Sequence, residues 1–346
     1  MNVFCDLHQD DLYYSLHLLF EKRLGWKLYR PIGMDWWKCR LWIYNNLEDT
    51  SHQYLDIHDC DVNHGTWYEC PEGRHEYSHR ALTLEQFWQM PIDIIIASVT
   101  SHEEPYSRLT WMHKDHPKFV RHVGNVHDTF EPVVCKNIMA SAFLFDANTL
   151  SHYESKGVAP DKNIVTYHQE FDLNTFSFQP PSPNHRITNL MNCVPDSRDY
   201  TLWELYKMVM PDFDWKMHGI LGHDGIIGTT RGVAQAFHDT TFVWHLKFGG
   251  DGMGHVIHNA FATGRPPIVK GSYYKDKMAG QLMEHEKTCL DLEQYSDIKE
   301  ACQRIRYWAE PEHYEILSRN AHDRFKQVVD FDAEFIRLKE FFDRLI

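Results

Sequence analysis

Long apolar runs are missing from this sequence. None approaches the roughly twenty residues that a membrane-spanning helix needs, so no span is expected. Positive charge is scarce as well. Thirty-five Lys and Arg face 49 Asp and Glu, the formal net charge is −14, and both halves of the chain carry the acid excess. High-affinity non-specific binding to nucleic acid is therefore disfavoured, although a total does not exclude a local basic groove. The eight cysteines (5, 39, 60, 70, 135, 193, 289 and 302) lack paired spacing, which reads as reduced thiols in a cytoplasmic protein. The N-terminal MNVFCDLHQDDL has neither the basic start nor the small-residue cleavage site of a signal peptide. Low-complexity tracts and repeats of solenoid length are absent.

What is present is enough apolar material for sizeable cores. The 346 residues are 43% hydrophobic and 14% aromatic, with eleven Trp and seventeen Tyr, and the length predicts two domains. The first segments read strand (1–6), polar loop, helix (12–24) closed by Gly25, and strand (27–32), the opening of a βαβ unit. Residues 35–85 are rich in Trp, Tyr, His and Asp with weak periodicity, and read as an insertion with short elements. IDIIIASV at 92–99 is the clearest buried strand. FQPPSPNHR at 178–186, with three prolines in four residues, is the best linker candidate. The strand–helix alternation then restarts, with strands expected at 187–194, 215–221 and 241–246. The chain ends in an amphipathic helix at 331–346. The organisation read from this is residues 1–180, residues 187–330 and a last helix, 331–346, that returns to the first domain.

The stretch 249–269, GGDGMGHVIHNAFATGRPPIV, carries the chemistry. Gly249, Gly250, Gly252 and Gly254 follow an apolar strand and let the backbone turn sharply and approach a ligand. The helix that follows offers its unpaired N–H groups and positive dipole end to an anion, phosphate above all. Asp251, His255 and Asn259 are spaced by four and share one helix face. A dinucleotide fingerprint does not fit: GGDGMG is not G-x-G-x-x-G, and it comes late in the second half rather than in its first unit.

This segment resembles the donor-binding motif of GT-B glycosyltransferases. In that family an acidic residue and G-x-G precede a helix, a second Glu lies eight residues after the first, and a G-[KR]-P-x-[IV] turn follows. Asp251 matches the first acidic position, Gly252 and Gly254 the glycines, and Gly264-Arg265-Pro266 the turn. The second acidic position, which in the family holds the nucleotide ribose, is Asn259 here. The N-terminal FCDLHQDDLYYSLHLLFEKRLG and the strands FVRHVGN and IDIIIASV are also similar to glycosyltransferases of tailed phages. The resemblance implies an α/β fold of GT-B type, with two Rossmann-like domains facing a central cleft. It implies a nucleotide-sugar donor bound by the second half, an acceptor bound by the first, and metal-independent transfer with no further cofactor. Acceptors open at this point are a hydroxymethylated DNA base, a glycan or a protein.

Site residues follow from position. Arg198, in PDSRDY, falls where the family places a basic phosphate ligand, and otherwise reads as a loop residue near a helix start. Lys247 ends the strand ahead of the glycine turn, and His245, one pleat away, reads as structural. With Gly250, Asp251, Gly252, Gly254, His255 and Asn259 these two cations form the expected donor site. His8 and Asp11, in the loop after the first strand, are candidate bases for deprotonating the acceptor, against helix capping as the plain alternative. His102, after IDIIIASV, is a third candidate. The His and Cys residues of 58–79 fit no standard zinc spacing, and Asp59-Cys60-Asp61 reads as a chance D-x-D. Weighed against a transferase are a sugar-nucleotide epimerase of the same plan and a two-lobed binding protein; a Rossmann oxidoreductase ranks last.

Overall fold

The computed structural model describes residues 1–6, 10–31, 67–69, 78–82, 84–98, 110–124, 136–180, 184–192, 194–227 and 229–346. Two compact units divide the chain: Met1–Phe171 with Phe331–Ile346, and Asp172–Asp330.

The first unit is built on a sheet whose described strands run β3-β4-β2-β1-β5-β6-β7-β8. They are β1 (Asn2–Asp6), β2 (Lys27–Pro31), β3 (Trp67–Glu69), β4 (Ser78–Leu82), β5 (Ile94–Ser98), β6 (Lys118–Val123), β7 (Ile138–Ala140) and β8 (Ile164–Thr166). Only the β3–β4 pair is antiparallel among them; Val3 sits opposite Leu28 on one side and Ile94 on the other. Helix α1 (Asp10–His17) widens into a π-type segment, Leu18–Arg23, and the chain leaves it at Gly25. The later helices of this unit are α2 (Leu84–Gln89), α3 (Ala147–Ser155) and the single turn α4 (Pro160–Asn163). β5 and β1 are buried on both faces, which is why their apolar residues run without alternation.

The second unit carries the parallel sheet β10-β9-β11-β12-β13. Its strands are β9 (Arg186–Asn189), β10 (Asp214–Met217), β11 (Phe242–Trp244), β12 (Pro267–Val269) and β13 (Leu290–Asp291). Its helices are α5 (Tyr200–Val209), α6 (Thr230–His238), α7 (His255–Ala262), α8 (Ile298–Ala309) and α9 (Pro311–Val328). Trp203, Trp215 and Trp244 meet edge to face at its centre, with ring centroids 4.9 to 5.8 Å apart, so part of the Trp excess is core. β10 stops at Met217, short of the strand expected to Leu221. There the Asp224 carboxylate accepts from the Met217 N–H at 2.8 Å, and the chain turns back.

The proline-rich stretch belongs to the second unit, and the division precedes it. Phe176 already packs on Phe237, and Phe178 stacks on His322 at 4.6 Å, both within that unit.

The last helix, α10 (Phe331–Asp343), packs on the first unit. Leu338, Phe341 and Phe342 join Leu12, Leu16 and Phe20 in one core cluster, and the Phe342 and Phe20 rings lie 5.2 Å apart. Glu334 adds a polar tie. Its carboxylate accepts from the His168 backbone N–H at 2.7 Å and pairs with His168 Nδ1 at 2.6 Å. Among the described residues no helix is long and apolar enough to cross a membrane.

Candidate functional site

The turn between β11 and α7 is folded by its own chemistry. β11 ends at Trp244, and His245, Leu246 and Lys247 lead into the glycines. Gly250 has φ 73°, and a Cβ there would run into the Tyr273 carbonyl oxygen. Gly254 caps α7 at φ 67°, a conformation that lets the chain enter the helix without a side chain over its first turn. The positive end of α7 therefore opens directly onto the turn.

Asp251 lies ahead of α7, so it does not share a helix face with His255 and Asn259 as the spacing predicts; it is the hub of the turn. His245, fully buried, places Nε2 3.0 Å from Asp251 Oδ2, and Lys247 Nζ pairs with Oδ1. Burial by itself would raise the Asp251 carboxyl. The His245 hydrogen bond and the Lys247 charge outweigh it and hold the group well below the usual carboxylate range.

Arg198 meets the same turn at Phe248. It lies between the short 3-10 turn Val194–Asp196 and α5, exposed, with its guanidinium 4.6 Å from the Phe248 ring centroid. Phe248 is 57% exposed and meets Tyr273 edge-on at 5.8 Å. Asp199, next to Arg198, is buried and does not cap α5 with its side chain. Its carboxylate accepts from Lys270 Nζ at 2.5 Å and from the Tyr273 hydroxyl at 2.8 Å. Burial would lower the Lys270 ammonium, but the Asp199 contacts prevail and raise it.

The structure thus brings Arg198, Lys247, Gly250, Asp251, Gly252 and Gly254 to one edge of the second sheet, with His255 opening α7. Asn259, one turn further, is buried, and its Oδ1 has no hydrogen-bond partner among the described residues. Arg265 has a different job. Buried at 2% exposure, it donates to the carbonyls of Phe237, Thr263 and His238 and ties the α7–β12 turn to α6.

Sequence reasoning missed Asp199, Phe248, Lys270 and Tyr273, and set His245 aside as structural. Lys270 had a usable signal: it is a polar residue immediately after a parallel strand, where ligands gather. Phe248 had none, because an aromatic residue beside an apolar strand reads as core.

In the first unit, His8 and His102 lie outside the described residues. Asp11 is the second residue of α1, and its side chain is likewise outside them. Of the His and Cys residues in 58–79, only His79 is described, as backbone in β4. Among the described residues no cluster of three His, Cys, Asp or Glu could hold a metal ion. The described carboxyl ends of β6 to β8 carry a sealed polar network. His122 Nε2 is 2.8 Å from the Tyr167 hydroxyl and 3.4 Å from Ser141 Oγ, which accepts from Gln169 Nε2 at 2.7 Å. Burial pushes the Tyr167 phenol far up.

No family model matches the chain, and no curated protein matches it by sequence. Solved structures match it across its length. A crystal structure of Anabaena HepE with UDP superposes at a TM-score of 0.65, with 11% identity, over 99% of this chain and 100% of that one. A glycosyltransferase from Rickettsia africae gives a TM-score of 0.63 with 11% identity over 99% and 98%. An alpha-glucosyltransferase crystallised with UDP and a 13-mer DNA gives 0.59 with 11% identity over 100% and 99%. The fold is GT-B. At this identity side chains have diverged almost completely, so the agreement concerns the GT-B fold alone.

Proposed function

We propose that this chain is a glycosyltransferase that moves a sugar from a nucleotide-sugar donor to an acceptor hydroxyl. The observation that carries the reading is the Asp251 turn. Two cations, Lys247 and Arg198, and the amino end of α7 converge on it. As the sugar leaves, negative charge builds on the departing diphosphate, and preorganised positive groups at that point lower the barrier. The helix end, Arg198 and Lys247 supply that charge without a metal. Asp251 cannot face the diphosphate, because like charges repel. Its carboxylate is suited to accepting hydrogen bonds from the hydroxyls of the sugar attached there. Asn259, with a buried acceptor oxygen free, takes the ribose position, where a neutral amide binds a diol less strongly than a carboxylate.

HepE with bound UDP and UDP-glucose supports uridine donors as the first to test. The alpha-glucosyltransferase bound to DNA, together with the resemblance to tailed-phage enzymes, supports a hydroxymethylated DNA base as acceptor. The net charge of −14 weighs toward a glycan or protein instead. The base that takes the acceptor proton is assigned to Asp11 or His8, with His102 next.

The experiment is a thermal-shift panel of UDP-glucose, UDP-galactose, UDP-N-acetylglucosamine, GDP-mannose and ADP-glucose. A ligand that binds only the folded protein raises its Tm; at a hundred times Kd the gain is about 2.7 kcal/mol. No shift with any member sinks the reading. Asp11→Asn tests the base: its loss lowers turnover by about a hundredfold or more. The capping expected for Asp11 does not hold, because α1 starts at Asp10 and an N-cap residue precedes its helix; as a plain first-turn residue, Asp11 replaced by Asn leaves turnover unchanged.

A further inference from the structure

The two oxygens of Asp251 are held in unlike ways. Oδ2 faces His245 Nε2 at 3.0 Å. The His245 ring is fully buried at the end of β11, and its backbone is locked in place: the N–H donates to the Ile268 carbonyl at 2.9 Å, and the carbonyl accepts from the Tyr274 hydroxyl at 3.3 Å. With Asp251 ionised, Nε2 carries the proton of this bond, and Nδ1 is buried with no hydrogen-bond partner among the described residues. Breaking the Asp251 contact would orphan the second ring nitrogen as well, a costly outcome away from water.

Oδ1 is held by Lys247, whose side chain is 50% exposed. An exposed ammonium on a flexible stem is a weak, salt-screened partner, easily drawn to a stronger anion. A diphosphate at the start of α7 is such an anion.

We propose that His245 is a positioning residue that clamps Oδ2 of Asp251, so that Oδ1 alone is handed from Lys247 to a hydroxyl of the donor sugar when the diphosphate arrives. The inference deepens the donor reading given above and rests on it. No bond to a heavy atom forms or breaks in the exchange, and no proton changes owner. Lys247 swaps one oxyanion for another, and the freed Oδ1 accepts from the sugar. Asp251 is closed to sugar until a diphosphate has engaged Lys247, so the two halves of the donor are recognised in order.

The quantity to measure is the sugar increment, the ratio of affinities for a nucleotide sugar and for its own nucleoside diphosphate. The probes are UDP-glucose with UDP, or GDP-mannose with GDP, or ADP-glucose with ADP, whichever pair the unsubstituted protein binds. His245→Leu removes the clamp and lowers the increment about tenfold, the worth of a charged hydrogen bond, with diphosphate affinity nearly unchanged. His245→Gln keeps an N–H donor at similar reach and restores the increment to within about threefold. Lys247→Met does the reverse: diphosphate affinity falls about tenfold while the increment is kept or grows.

Equal weakening of both ligands by His245→Leu, without rescue by Gln, would mean a merely structural histidine and would overturn the inference. So would a Lys247→Met protein that loses the increment or keeps its full diphosphate affinity. Should His245→Leu fail to fold, the Gln and Met variants decide by the same criteria. A protein that binds a diphosphate with no sugar increment overturns the inference alone. A protein that binds no member of the donor panel defeats the donor reading and the inference together.

Discussion

The carboxyl edges of the two sheets both carry polar side chains, but of different kinds and in different settings. In the first unit, His122, Ser141, Tyr167 and Gln169 are at most 3% exposed and bonded to one another. In the second, Arg198 and Lys247 are exposed, and each rests on a replaceable partner, the Phe248 ring or an Asp251 oxygen. A sealed network of buried hydrogen bonds fixes a backbone, whereas half-exposed charges in weak contacts stand ready to change partners. The carboxyl end of the sheet thus serves as scaffold in the first unit and is the proposed binding edge in the second.

Three substitutions test that contrast. The largest effect is expected from His122→Ala, which leaves a cavity and removes the hydrogen bond between His122 and the Tyr167 hydroxyl. It should destabilise the protein by about 3 kcal/mol in urea unfolding. The donor affinity of the folded variant should stay unchanged, and a loss of donor binding at unaltered stability would erase the distinction between the edges. Arg198→Ala should do the opposite. Its ring contact is worth only about 0.5–1 kcal/mol to the fold. A lost charge-assisted contact to diphosphate is worth about 1.5–3 kcal/mol, a tenfold to hundredfold rise in Kd by calorimetry. An Arg198→Ala protein that binds donor normally removes that residue from the site.

The smallest effect concerns acid. The Asp251 carboxyl is depressed in the fold, since the His245 and Lys247 contacts outweigh the opposing effect of burial. Its stabilisation is therefore fully present above the ordinary carboxylate value of about 3.9 and is lost as pH falls below it through the folded value. Asp251→Asn should be less stable than the unsubstituted protein at pH 7 and pH 5, with the gap closing below about pH 4. A gap that stays constant down to pH 3 would show that the carboxylate's charge is not what stabilises the turn.

Much of the plan was legible one segment at a time. IDIIIASV reads as a buried strand and is β5, and the spacing of Leu338, Phe341 and Phe342 marks a buried helix face. GGDGMG reads as an anion turn, and Gly254 does cap α7. These features are local: β-branched runs, helical periodicity and glycine at positive φ act within a few residues. Pairings across the chain were not legible. Lys270 meets Asp199 across 71 positions, and His168 meets Glu334 across 166. The unit boundary was misplaced in the same way, because Phe176 and Phe178 commit the chain to the second unit through rings that lie far along the sequence.

By itself, then, the sequence determined the elements, the glycine turn at 249–254 and the apolar face of the last helix, since each depends on neighbours along the backbone. Only the tertiary structure decided which charge each ionisable group meets. Asp251 shows why. Its partners His245 and Lys247 are six and four positions away, yet nothing in that spacing says that one is fully buried and the other half exposed. Tyr274 and Ile268 hold the His245 backbone from across the fold, and the Tyr274 ring lies 6.3 Å from the His245 ring, whereas the Lys247 side chain is half exposed; that difference decides which oxygen of Asp251 is held and which can be given up.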